Sequence, residues 1–169
     1  MKNSAAFIEI ALGISHLGAV LLPINFRLAP AEVDYILQHA GARLLFVDEE
    51  LAGSASGFAA TVIVDAGAQV DSGRLCADAL PAGCAALSAA DHFRLMYTSG
   101  TTDHPKGVVH SYDNYYWKCL DHIAVLQLTA RDRLLVVGPL YHVGAFDLPG
   151  LALLIVGDRK STRLNSSHT

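Results

Sequence analysis

The sequence predicts an α/β fold, a layered domain in which helices pack on a mostly parallel sheet. Helix-type and strand-type runs alternate along the chain, which is the order that builds such layers. Two short runs, Arg43–Val47 and Thr61–Val64, are rich in leucine or β-branched residues and each leads into Asp. Such runs are typical of strands buried on both faces of a parallel sheet. A chain of 169 residues is long enough for one domain with a hydrophobic core.

Two helices and a short strand are predicted before residue 42. Asn3 or Ser4 can cap a first helix that runs to His16 and carries an apolar stripe. The apolar run Ala19–Pro23 predicts a strand that ends at proline. Pro30 suits the first turn of a second helix that stops at Gly41. The apolar positions of the two helices are Phe7, Ile8, Ala11, Leu12, Val33, Ile36, Leu37 and Ala40.

The second half of the chain predicts further strands around one long helix. Residues 66–90 are rich in Ala and Gly and are predicted to be surface loop with some helix. His92–Thr98 predicts a strand, Ser111–Leu126 a helix, and Arg133–Val137 a strand that ends at Gly138-Pro139.

Composition limits the class of protein. Hydrophobic residues make up 52% and charged residues 17% of the chain, and the mean hydropathy is +0.35. We therefore expect some apolar surface to pack against chain that is absent here. Polar residues and prolines interrupt the most apolar stretch, Leu134–Gly157, which argues against a transmembrane segment. The net charge of −4 argues against nucleic acid as a partner.

The cysteines and the N-terminus indicate a cytoplasmic location. Cys76, Cys84 and Cys119 form an odd set with no close pair, so neither a disulfide framework nor a zinc site follows. Free thiols in a reducing cytoplasm are the simplest interpretation. The residues after Met1 form an amphipathic pattern rather than the apolar block of a secretory signal.

Both ends of the sequence are expected to be cut. Met1 stands directly before a helix signal with no preceding strand. Apolar periodicity stops at Gly157, and the eleven residues 158–168 can be encoded in frame by a string similar to a widely used sequencing adapter. We therefore expect a partial domain at 1–157 and a non-native, disordered tail at 158–169. A natural flexible tail is the alternative.

The segment from Tyr97 to Gly107 carries the clearest chemical signal. It follows a predicted strand and combines four serine or threonine hydroxyls, two glycines and Lys106. Backbone N–H groups and hydroxyls in such a loop can surround phosphate oxygens, and the lysine adds a point charge. The segment is not a Walker A loop, because Gly107 rather than Ser or Thr follows the lysine. A polar hairpin loop without a ligand is the alternative.

This segment resembles the signature phosphate loop of the adenylate-forming superfamily, which includes acyl-CoA synthetases, peptide adenylation domains and luciferases. The family pattern runs Thr-Ser-Gly-Thr-Thr-Gly-x-Pro-Lys-Gly. This chain departs from it at Asp103, where glycine is usual. An Asp tolerates positive φ better than most residues, and we expect its side chain to point outward. The resemblance implies ATP phosphate binding by Thr98, Ser99, Gly100, Thr101, Thr102, Lys106 and Gly107.

Two further segments extend the resemblance to most of residues 4–156. Pro139-Leu140-Tyr141-His142-Val143-Gly144 is similar to the family segment whose His lies near the acyl carboxylate, which implies an acyl-substrate pocket at His142 and Gly144. The segment Pro23–Leu28 is similar to a stretch frequent in fatty and aromatic acyl-CoA synthetases. The aromatic residues Tyr115, Tyr116 and Trp117 could line an acyl pocket, but helix packing is the preferred interpretation.

The resemblance implies an AMP-forming acid–thiol ligase that uses ATP, Mg²⁺ and CoA on a small carboxylic acid. The magnesium ligands, the ribose-binding residue and the C-terminal lysine of the family are expected further along the chain, so no complete catalytic set is predicted here. The chain alone is therefore expected to be inactive. The alternatives are an aryl or amino-acid adenylating enzyme, a non-catalytic phosphate-binding module, or a non-functional gene fragment.

Overall fold

The computed structural model describes residues 1–55, 57–64, 83, 85–98 and 105–157. The predicted tail at 158–169, most of the predicted loop at 66–90 and the centre of the phosphate loop lie outside these residues, as do Cys76 and Cys84.

The first two helices form where the sequence predicts them. Helix α1 spans Ala5–His16, and the Ser4 hydroxyl caps it by accepting a hydrogen bond from the Phe7 N–H at 3.2 Å. Helix α2 spans Pro30–His39. After this helix the chain changes direction at Gly41, whose φ of +63° is a left-handed conformation that favours glycine.

The predicted parallel strand pair is present. Strand β1 (Leu45–Asp48) pairs in parallel with β2 (Thr61–Val64), and Leu45 lies opposite Thr61. A 3₁₀ segment, Glu49–Ala55, begins the connection between them. The expectation of burial on both faces is wrong for β2, because the Ile63 side chain is 59% exposed. No further strand pairs with β2 among the described residues.

A second sheet is an antiparallel hairpin. Strand β3 (His92–Thr98) was predicted, whereas β4 (Lys106–Ser111) was not. The predicted strand at Ala19–Pro23 is reduced to one parallel bridge between Leu21 and Arg94. In that bridge the Leu21 N–H donates to the Phe93 carbonyl at 3.1 Å, and the Leu95 N–H donates to the Leu21 carbonyl at 2.9 Å.

The predicted long helix is confirmed, whereas the strand predicted after it does not form. Helix α3 spans Tyr112–Leu126, with reciprocal hydrogen bonds between Ser111 and Asn114 at its start. Residues 133–137 form no strand, and the Val137 side chain is 88% exposed. An extended segment becomes a strand only when a neighbouring strand accepts its backbone hydrogen bonds. Three short helical turns end the described chain: α4 (Val143–Phe146), a π-helical turn (Asp147–Leu151) and α5 (Ala152–Ile155).

The core lies between α1, the Leu21 bridge and the residues around α4. Its buried members are Phe7, Ala11, Leu21, Leu140 and Phe146. The rings of Phe7 and Phe146 meet edge to face at 5.9 Å between centroids. The α/β class predicted from the sequence is confirmed. None of the helices in the described ranges combines the length and the apolar content needed to cross a membrane.

Candidate active site

The predicted phosphate loop is the segment of chain that connects β3 to β4. Thr98 and Lys106 are cross-strand partners in the last pair of the ladder, and both are exposed. The residues between them therefore cross from one strand to the other, and a cation and a hydroxyl flank the crossing. Four of the predicted phosphate ligands, Ser99, Gly100, Thr101 and Thr102, lie outside the described residues, so their role stays a prediction.

Among the loop residues that the structure describes, Gly107 has an identity that the packing explains. It lies opposite Tyr97 in the ladder. A Cβ atom at this position would lie 3.0 Å from Leu95 Cδ1 and 3.3 Å from Tyr97 Cζ. Glycine therefore lets the Tyr97 ring lie across β4 directly below the loop.

Tyr97 is in turn fixed to helix α2. Its hydroxyl and His39 Nδ1 form a hydrogen bond of 2.6 Å, and the His39 ring stacks on Tyr35 at 5.4 Å. Burial raises the pKa of the Tyr97 hydroxyl, and Tyr35 adds to this rise. Sequence reasoning missed His39 because it falls within an ordinary helical pattern. The base of the loop is thus tied to a helix as well as to its own sheet.

His142 caps the short helix α4. Its Nδ1 accepts a hydrogen bond from the Gly144 N–H at 3.2 Å. The neutral ring therefore carries its proton on Nε2, where it can donate to a carboxylate. His142 is exposed. The two residues predicted to form the acyl pocket are thus in contact, and Gly144 acts through its backbone.

The side chain of Asn3 holds the segment that leads into His142. Its Nδ2 donates to the Gly138 carbonyl at 2.8 Å, and its Oδ1 accepts from the Leu140 N–H at 2.7 Å. The sequence placed Asn3 only as a possible helix cap. Instead, Asn3 satisfies two backbone groups 135 and 137 residues away.

Two of the three segments that carry the family resemblance are in contact, and neighbouring residues join them to the strand that leads into the third. Phe26, in the Pro23–Leu28 segment, packs edge to face on Tyr141 at 5.5 Å. Leu21 bridges to β3, which ends at Thr98. Arg94 in β3 donates from Nη2 to the Tyr141 carbonyl at 3.3 Å. The Pro23–Leu28 segment, the turn that carries His142 and strand β3 are therefore parts of one packed unit.

A buried ion pair lies at the centre of this unit. Arg94 and Asp147 are both fully buried, and Arg94 Nη1 donates to the Asp147 carboxylate. The same Nη1 donates to the Tyr115 hydroxyl at 3.3 Å. Burial raises the pKa of the Asp147 carboxyl, and the Arg94 charge opposes that rise. The sequence signal was available, since Arg94 interrupts an otherwise apolar strand.

The aromatic residues of α3 have separate roles. Tyr115 is buried and its ring meets Phe93 at 4.6 Å, as expected for helix packing. Burial raises the pKa of its hydroxyl. Tyr116 and Trp117 are exposed and contact each other at 5.6 Å.

Metal ligands are not assembled in the described part of the chain. No group of three or more His, Cys, Asp or Glu side chains there is arranged to hold a metal ion.

Comparisons with known proteins agree with this geometry. The family model for AMP-binding enzymes matches residues 1–159. The chain belongs to the AMP-binding enzyme family. It is 37% identical over 148 residues to 2-succinylbenzoate–CoA ligase of Geobacillus kaustophilus, covering 88% of this chain and 29% of that protein. It is 35% identical over 151 residues to the long-chain-fatty-acid–CoA ligase FadD13 of Mycobacterium tuberculosis, covering 86% of this chain and 30% of that protein.

Solved structures show the same fold. The N-terminal domain of FACL13 from Mycobacterium tuberculosis matches with a TM-score of 0.77 and 30% identity, over 90% of this chain and 40% of that one. The anthranilate CoA ligase AuaEII also matches with a TM-score of 0.77, at 29% identity, over 93% of this chain and 33% of that one. The predicted superfamily and the predicted kinship with its N-terminal domains are confirmed. The chain spans about 30% of the length of the curated relatives it matches.

Proposed function

We propose that this chain is part of an AMP-forming acid–CoA ligase, in which a carboxylate attacks the α-phosphate of ATP and the acyl group then passes to the thiol of CoA. The observation that supports this most strongly is the hairpin end. Thr98 and Lys106 face each other across the loop that resembles the family's phosphate loop, and the turn bearing His142 is bonded to the same strand.

In this function the two subsites have different tasks. Lys106 would neutralise the β- and γ-phosphates, which leave as pyrophosphate, and the loop hydroxyls would hold phosphate oxygens. His142 would donate from Nε2 to the substrate carboxylate and so position it for attack. Mg²⁺, when bound, supplies charge neutralisation on the phosphates, and its ligands are proposed to lie in sequence beyond this chain.

The substrate is proposed to be a small-molecule carboxylic acid, with fatty and aryl acids as the two candidate classes. Relatives of similar identity carry the names of both classes: FadD13 is a long-chain-fatty-acid–CoA ligase, and a protein from Amycolatopsis that is 33% identical is a feruloyl-CoA synthase. A cytoplasmic location is part of the proposal, because ATP and CoA are cytoplasmic substrates.

Replacing Lys106 tests the assignment of the loop. In the enzyme restored to the full length of its relatives, Lys106→Ala should slow acid-dependent exchange of pyrophosphate into ATP. It should slow CoA transfer from a preformed acyl-adenylate much less, because pyrophosphate has already left. Equal loss in both half-reactions would argue that Lys106 is only structural.

A second lysine provides the control for this test. Lys2→Ala removes the same charge from a side chain that pairs with Glu50 at 2.7 Å. That variant should leave both half-reactions within about twofold of the native rates, since an exposed ion pair contributes at most about 1 kcal/mol.

The 169-residue chain by itself is proposed to be inactive. Rate enhancement in enzymes depends on many groups acting together, and the relatives are about three times as long as the chain. The measurement is AMP release from ATP, CoA and a panel of fatty and aryl acids. Release above a Lys106→Ala control would refute the proposal. Binding of ATP with no release, in the chain and also in its extended form, would favour a non-catalytic phosphate-binding module.

A further inference from the structure

Arg94 and Asp147 place two charged side chains where apolar side chains could pack. Both side chains are fully buried, and they lie beside the hydrophobic core that contains Phe146. Removing two charges from water is costly, and apolar residues of similar volume often stabilise such a place as well or better. Stability alone therefore does not explain an arginine in the middle of β3.

The contacts of Arg94 define what the pair holds. Its guanidinium bonds to the Tyr141 carbonyl at 3.3 Å and to the Asp147 carboxylate. It also lies over the Phe146 ring at 5.3 Å. Tyr141 precedes His142 and Asp147 follows α4, so one side chain grips both ends of the turn that carries His142. A planar guanidinium suits this task because its fork of donors can serve two acceptors in fixed directions.

Arg94 also has a fixed relation to the phosphate loop. It lies four residues before Thr98 on β3, a rise of about 13 Å along a strand. That stretch is regularly paired with β4, since the one register shift falls between His92 and Arg94. The distance along β3 from Arg94 to Thr98, where the loop begins, is therefore set by a regular piece of hairpin.

We propose that Arg94 and Asp147 are positioning residues that fix the His142 turn at a set distance from the phosphate loop, and so place the substrate carboxylate for attack on the α-phosphate. The inference rests on the proposed function. Neither residue touches substrate; each acts through the turn. Loss of the pair should weaken productive binding of the acid far more than binding of ATP.

The decisive variant removes both charges together. Arg94→Met combined with Asp147→Leu leaves no unpaired buried charge, so it should fold with a urea midpoint close to that of the native enzyme. In acid-dependent pyrophosphate exchange, its KM for the acid should rise about tenfold, which corresponds to about 1.4 kcal/mol, while its KM for ATP stays within twofold. Arg94→Lys keeps the charge but loses the fork, and it should raise the acid KM by an intermediate factor of about three.

Tyr112→Phe is the matched control. It removes a hydrogen bond of 3.0 Å between Ser15 and Tyr112 that links α1 to α3 away from the turn, and both KM values should stay within twofold. A folded double variant whose acid KM is unchanged would overturn the inference. An equal rise in the KM of acid and ATP would overturn it too, because that result indicates general loosening.

A readout that needs no activity separates this inference from the proposed function. The nitrogen chemical shifts of the His142 ring report which nitrogen carries the proton. The native protein should show the Nε2–H tautomer, and the double variant should shift toward a mixture as the turn loosens. If the native enzyme shows no acid-dependent exchange, the proposed function fails, and the ring shifts still decide the inference. Identical His142 shifts in both proteins would refute the positioning role.

Discussion

Replacing Gly107 by alanine should destabilise the protein even though alanine is usually the better residue in a strand. The substitution adds one Cβ, which would lie 3.0 Å from Leu95 Cδ1 and 3.3 Å from Tyr97 Cζ. Relief of the clash requires Leu95 to change conformation or Tyr97 to move away from His39, to which it is bonded at 2.6 Å. The free energy of unfolding contains terms for both the clash and the strand preference.

The magnitude follows from these opposing terms. Overpacking costs about 1–3 kcal/mol, and the loss of a glycine from a strand returns about 0.5–1 kcal/mol. The Leu95 contact is with the end of a flexible side chain, whereas the Tyr97 ring is held by its hydrogen bond to His39, so we expect an overpacking cost near the middle of this range, about 2 kcal/mol. Gly107→Ala should therefore lower the free energy of unfolding by about 1–1.5 kcal/mol, measured by urea denaturation followed by circular dichroism.

Two variants make this prediction sharp. Leu95→Val removes the nearest clashing atom, so the double variant with Gly107→Ala should be less destabilised than the sum of the single changes, by about 1 kcal/mol. Gly13→Ala makes the same chemical change inside α1, where an added Cβ has no neighbour within 4 Å, and it should stabilise by up to about 1 kcal/mol. Additive effects of the changes at 95 and 107, or a neutral Gly107→Ala, would refute the packing argument.

Two further predictions concern titratable groups. Cys119 is buried and burial raises the pKa of its thiol, so iodoacetamide should modify it only as fast as the protein unfolds; rapid labelling of folded protein, detected by mass spectrometry, would contradict this. Burial lowers the pKa of His110 below its ordinary value of 6.5. The negative charge of Asp147 opposes this shift, and the positive charges of Lys118 and Arg94 add to it. Below pH 6.5 the unfolded chain binds a proton that the folded protein does not, so stability should fall as pH decreases from 6.5 toward the folded pKa. His110→Gln should flatten that slope, and an unchanged slope in urea titrations would assign it to another group.

Local signals at their ends made helices α1, α2 and α3 predictable. Ser4 and Ser111 cap their helices with their own hydroxyls, and Pro30 and Gly41 bound α2 as their backbone preferences dictate. These signals act over three or four residues, so they are visible without knowledge of the fold. The parallel pairing of β1 and β2 could also be predicted, because alternation with helices favours parallel strands.

Strands depend on partners, and here the predictions were less accurate. Strand β4 was not predicted, because its first two residues, Lys106 and Gly107, belong to the phosphate-loop pattern, yet both pair with β3. Residues 133–137 have a strand composition but no partner strand among the described residues. Whether an extended run becomes a strand is decided by what lies beside it.

The candidate site also has parts that could be predicted from the sequence and parts that could not. The order of Thr, Ser, Gly, Pro and Lys in one loop indicated phosphate binding, and the segment around His142 indicated the acid site, because both are short and contiguous. The contacts that hold them in place join residues far apart in the chain: 58 residues separate His39 from Tyr97, and 53 separate Arg94 from Asp147. Such pairs leave no periodic pattern, since their energy comes from burial and geometry that exist only after folding. The sequence by itself determined which groups are candidates for the proposed chemistry, because they are contiguous in the chain. The tertiary structure decided how strand β3 and the turn that carries His142 are held relative to one another, because the contacts between them form only on folding.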